Sequence, residues 1–187
     1  MIFYSLLVLG HVLGSICGVL SATVAEMLYI KLGPSYRTDE VTYEKTHRMW
    51  SHTSILLRLS TLLTVLTGVG FVCYFAYTHD NEYLLSPMFW AKMAMVSMIG
   101  VNAYLLHTER ISYYFGSALS FTSWWLALGA GFFLTNDANM FSGQPLLSFA
   151  ATMTMYGAAV VVLAACLQAL RTRSGITPGV RVEPKRA

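Results

Sequence analysis

Six ionisable side chains, His11, Glu26, His52, Arg58, Lys92 and His107, interrupt long stretches of this 187-residue chain that are otherwise apolar. Charge within an apolar run long enough to cross a bilayer is costly, so each such residue is a candidate for function. Imidazole is a common axial ligand of haem iron. A lysine amine can serve as a second ligand when neutral, or stay charged and pair a propionate. Arginine matches carboxylates through its planar fork of donors. His47 and His79 fall at the ends of apolar runs, where a plain interfacial role is expected.

Composition selects the environment in which these groups work. The chain is 56% hydrophobic and 11% charged, against about a quarter charged in a soluble domain. That gap defines an integral membrane protein. Soluble-enzyme signatures are absent: there is no phosphate-binding loop, no GxSxG elbow and no HExxH pair. Cys17, Cys73 and Cys166 lie in apolar runs without CxxC spacing, as expected of small buried hydrophobes rather than disulfides or zinc ligands. The basic segment "RVEPKR" is too short to argue for nucleic acid.

A bilayer core about 30 Å thick needs about 20 helical residues. Five segments meet this: about 2–30, 50–78, 87–108, 114–135 and 147–170. The opening "MIFYSLLVLG" lacks a basic n-region and its apolar run continues to Ile30, which predicts an uncleaved first span. The expected fold is all-α: a polytopic membrane bundle with a four-helix core and a fifth transmembrane helix packed on its side. It occupies 1–171, followed by a basic tail over 172–187 suited to anionic lipid. Lys and Arg concentrate in 31–49 (Lys31, Arg37, Lys45, Arg48), at Arg110 and in the tail (Arg171, Arg173, Arg181, Lys185, Arg186). Segments 79–86 and 136–146 carry only Asp80, Glu82 and Asp137. This asymmetry predicts a cytoplasmic C-terminus and an N-terminus outside. Tyr83, Trp90 and Phe141 suit the outer interface and Trp50 the inner one.

Helical rise sorts the six candidates into two tiers. His11 and Lys92 fall in the outer half at similar depth. Glu26, His52, Arg58 and His107 fall in the inner half. Gly10, Gly14, Gly18 and Ala22 repeat every four residues, and Gly14 and Gly18 lie on the His11 side of the first span. Such a stripe serves close helix packing or a slot for a flat cofactor, and spacing alone leaves both open. Arg58 shares a face with His47, Ser51 and Ser54, and lies about 120° from His52 at 100° per residue. It can pair with Glu26 or hold an anionic group. Lys92, Val96, Ile99, Ala103 and His107 run down broadly one side of the third span.

One arrangement that uses these parts is a b-type haem held between helices. His11 (metal ligand) would face small residues such as Gly14 and Gly18. Lys92 would act as second ligand or propionate partner, and His107 with His52 and Arg58 would serve a second haem or a quinone. The segments "HVLGSICGV" (11–19), "TVLTGVGF" (64–71) and "FWAKMAMVSMIGVNAYLLH" (89–107) resemble a bacterial membrane group. It includes the membrane-embedded, haem-containing protoporphyrinogen oxidases, the copper-resistance D proteins and related integral membrane proteins. The resemblance covers roughly 1–130. It implies a four-helix haem-binding bundle in the bacterial inner membrane, with His11 and Lys92 at the family's first-span His and third-span Lys. This chain differs in reading "AEMLYIKL" where those oxidases carry Pro-Arg, in the wider spacing of His107 from Lys92, and in its fifth span.

The expected function is therefore a membrane redox protein that exchanges electrons between haem b and a quinone, porphyrinogen or partner cytochrome. Two alternatives stand beside it. Met93, Met95, Met98, Met153 and Met155 provide thioethers that suit Cu(I), as in a copper-handling protein. The glycine stripe with Trp124 and Trp125 would suit a non-catalytic subunit or assembly factor of a respiratory or photosynthetic complex, or a homo-oligomer.

Overall fold

The computed structural model describes residues 2–35, 40–79, 84–85, 87–108, 110 to 140 and 148–173. Tyr83, Phe141, Arg37, Asp80, Glu82 and the tail from 174 lie outside the described residues. Among the described residues the protein is an all-α bundle of five long helices: α1 (Ile2–Ser35), α2 (Glu40–Tyr77), α3 (Pro87–His107), α4 (Tyr113–Met140) and α5 (Phe149–Arg173). Among the described residues, four stretches are long and apolar enough to cross a membrane: Ile2–Ile30, Arg48–Tyr77, Phe89–His107 and Phe149–Arg173. α4, at 28 residues, is of comparable length and lies among them.

Helix is the form an apolar run takes where no water can satisfy its backbone groups. The ends follow local chemistry. α2 stops at His79, whose φ of 56° is left-handed, while the Thr78 amide still reaches the Tyr74 carbonyl at 2.9 Å. Pro87 opens α3, where its missing N–H costs nothing. Ser148 caps α5, its hydroxyl accepting from the Ala151 amide at 3.3 Å.

Polarity runs inside out relative to a soluble bundle. Leu9, Leu20, Leu59, Leu66, Val101 and Val161 point outward, whereas Ser21, Ser60, Thr64, Thr67, Ser117 and Thr122 are buried. Several of the buried hydroxyls bond their own helix. Ser60 reaches the Leu56 carbonyl at 2.8 Å, and Thr122 the Ala118 carbonyl at 2.9 Å. These line close helix contacts with their donors met inside the helix, whereas Ser21 Oγ and Thr64 Oγ1 are buried without a partner among the described residues. The first four helices close a ring in which each packs on the next and α4 returns to α1. α5 packs on the outside of α3 and α4.

Candidate functional site

α1 and α2 run antiparallel, so residues from opposite ends of the sequence stand level. Thr67 of α2 meets His11, with Oγ1 2.9 Å from Nδ1. The Thr67 hydroxyl donates to the Leu63 carbonyl at 2.7 Å, one helical turn back. With its proton committed there, Thr67 Oγ1 accepts from Nδ1–H. The neutral imidazole then carries its lone pair on Nε2, the form of histidine that binds a metal. Phe71 packs edge-on to the ring at 5.7 Å and continues an aromatic chain through Phe75 to Phe89 of α3. Lys92, half-buried on α3, lies within electrostatic reach of His11.

The glycine stripe is a packing surface. A Cβ on Gly14 would come 2.7 Å from Thr64 Oγ1, and one on Gly18 would come 2.4 Å from the six-membered ring of Trp124. α2 and α4 therefore cover the stripe, and Gly14 and Gly18 leave no slot for a planar ring. The correction has a simple cause: absent side chains admit a neighbouring helix as readily as a ligand.

Open space lies elsewhere on the same tier. Gly18 faces Trp124, and α1 and α4 run antiparallel. Seven residues outward on each, about 10 Å at 1.5 Å per residue, sets Gly131 level with His11. Trp124, Leu128 and Gly131 follow i, i+4, i+7 spacing on one face of α4, and both Trp124 and Leu128 pack against Val19 and Ala22 of α1. Among the described residues, a Cβ on Gly131 would meet nothing within 4 Å, and the same holds for Gly129. Sequence reasoning missed this notch. Its signal is the Gly-Ala-Gly of residues 129–131 in an otherwise bulky stretch.

The inner tier forms differently from expectation. His52, Arg58 and His107 are all exposed, so they do not converge on an interior site. The inward face of α2 is Ser60, Thr64, Thr67 and Phe75. At 100° per residue Arg58 stands on the opposite face. Glu26 does not pair with Arg58. It pairs with Arg171, which sequence reasoning assigned to the basic end of the chain. Arg171 is 1% exposed and Glu26 4%. Arg171 Nε donates to Glu26 Oε1 at 2.8 Å, and Nη2 donates both to Glu26 Oε2 and to Ser117 Oγ, the latter at 2.7 Å. Nη1 donates to the Tyr114 carbonyl. The guanidinium lies 4.7 Å from the Tyr29 ring centroid and 5.4 Å from that of Tyr114. Gln168 Nε2 also donates to the Tyr114 carbonyl, at 2.8 Å. The available signal was Glu26 itself, a carboxylate that needs a cation at its depth.

The methionines disperse. Met93 faces Gly68 of α2, Met95 and Met153 pack with Tyr156 and Val160, and Met98 and Met155 are exposed. Trp124 is interior, while the exposed Trp125 donates to Thr23 Oγ1 at 3.1 Å. Cys17, Cys73 and Cys166 are free thiols. Among the described residues no three His, Cys, Asp or Glu gather as a metal site. A haem needs only one or two axial side chains.

The fold defines a polytopic α-helical membrane protein. Comparison of the chain with family models, curated proteins and solved structures finds no match.

Proposed function

We propose that this chain is a b-type haem protein of the bacterial inner membrane, with the haem on the outer tier. The reading rests above all on His11: the Thr67 contact sets Nδ1–H as donor and leaves the Nε2 lone pair as ligand. Three further features support it. Lys92 is close by as a second axial ligand or a propionate partner. Gly131 stands level with His11 and is open around its α-carbon. The segments 11–19, 64–71 and 89–107 resemble haem-binding membrane bundles. The donor chemistry at His11 fits such a group, and the room for it lies toward Gly131 instead of along Gly14 and Gly18.

When bound, a haem supplies one-electron chemistry between a donor and an acceptor such as a quinone, porphyrinogen or partner cytochrome. The residues of this chain hold and tune it. Thr67 orients the imidazole and sets its tautomer. Phe71, Phe75 and Phe89 exclude water from the tier. Lys92 sets the local charge. With the basic segments in the cytoplasm, this tier lies in the outer leaflet.

The test is a reduced-minus-oxidised spectrum of purified protein expressed with ample haem supply. The expected result is a Soret band that shifts on reduction. A folded, colourless preparation overturns the reading.

A further inference from the structure

Arg58 is an exposed charge on the outside of this fold, set within the apolar stretch of α2. The apolar stretch of α2 runs from Arg48 to Tyr77, 30 residues, or about 45 Å against a bilayer core of about 30 Å. Sharing the excess between the ends places Arg58 about five residues inside the core. It is exposed, it lies opposite the packed face, and it has no ion-pair or hydrogen-bond partner among the described residues. A guanidinium cannot rest there facing acyl chains alone, since it always carries charge.

Its surroundings have an order. Helical side chains lean toward the N-terminus of their helix, so Arg58 reaches toward Ser54 and Ser51, which share its face. Thr53, Ser60 and Thr61 turn their hydroxyls back onto α2, at 2.9, 2.8 and 2.8 Å. Ser51 and Ser54 make no such bond. Past Arg58, broadly on the same side, come the exposed Leu59 and Leu62. From the Arg48 end inward the face therefore reads charge and hydroxyl, then hydrocarbon. A phospholipid has this polarity along its own length.

We propose that this face of α2 seats an anionic phospholipid. Its phosphodiester accepts from the Arg58 guanidinium and from the Ser51 and Ser54 hydroxyls, and its acyl chain lies along Leu59 and Leu62. An acidic residue on a partner helix would satisfy Arg58 alone and would make no use of this graded strip. The proposal is independent of any haem.

The experiment uses the full chain, delipidated in detergent, with phosphatidylglycerol, phosphatidylcholine or inorganic phosphate added. Bound lipid is counted by native mass spectrometry, and thermal stability is followed in parallel. Phosphatidylglycerol should bind and raise the melting temperature, whereas phosphatidylcholine and phosphate should not. Arg58→Gln should weaken phosphatidylglycerol binding about tenfold, as for loss of one charged hydrogen-bond donor. Arg173→Gln, an exposed charge on α5, should leave it unchanged. Equal binding of both lipids, or full phosphatidylglycerol selectivity in Arg58→Gln, overturns the proposal. So does a dimer or a co-purifying subunit that Arg58→Gln releases while lipid counts stay the same.

Discussion

Glu26 and Arg171, 145 positions apart in the sequence, form a fully buried ion pair that ties the C-terminal end of α5 to α1. Because α5 otherwise packs on α3 and α4, this pair is its polar link across the ring. The same guanidinium also serves Ser117 and the Tyr114 carbonyl of α4. Three helices meet on one side chain.

Removing one partner leaves the other charge buried and unpaired, which costs about 3–5 kcal/mol. Arg171→Met and Glu26→Leu should each lower the melting temperature sharply in detergent. The double variant should be more stable than either single, since it leaves no lone charge. Thermal unfolding of the three proteins measures this coupling. Additive losses would contradict the pair's role.

Gly18 should tolerate no side chain. A Cβ there enters the Trp124 ring, and overpacking of this kind costs about 1–3 kcal/mol. Gly18→Ala should therefore destabilise the bundle. Adding Trp124→Phe, which shortens the ring at that contact, should restore part of the loss. The readout is the melting temperature of the single and double variants.

Gly131 should behave in the opposite way. A Cβ there meets no described atom within 4 Å, so Gly131→Leu should fold with little change in stability. If the space beside it receives a haem, that variant should lose the Soret absorbance. Retention of full absorbance would move the cofactor away from this notch.

Most of the helical architecture is legible in the sequence because apolar runs of this length have one spanning solution. The small-residue stripe likewise announces close packing. Which neighbour fills it is not legible, since Gly14 and Gly18 fit Thr64 and Trp124 as well as they would fit a ring. Arg171 escapes notice because "RTRSG" looks like an exposed basic end, and only the three-dimensional return of α5 to Glu26 shows it buried. Arg58 is placed on the Ser51 and Ser54 side by periodicity alone. That this side faces outward depends on where α1 packs, which spacing within one helix cannot specify. Gly131 becomes informative only once Trp124 is seen against Gly18, because that contact sets the level of His11.

Thr67 acts through His11. Thr67→Ser keeps an acceptor for Nδ1–H and should preserve the spectrum. Thr67→Val keeps the shape but removes that acceptor, and should weaken haem retention by about 10–100-fold, as for loss of a partner behind a metal ligand. Haem titration of the two variants separates this role from simple packing. Equal haem affinity in both would leave Thr67 a packing residue.

The most direct measurement is the reduced-minus-oxidised spectrum of His11→Ala beside wild type, both expressed with ample haem and checked for folding by thermal unfolding. Wild type should carry a Soret band that shifts on reduction, and His11→Ala should lose most of it while remaining folded. A full, unshifted band in His11→Ala, or no band in folded wild type, would contradict the account.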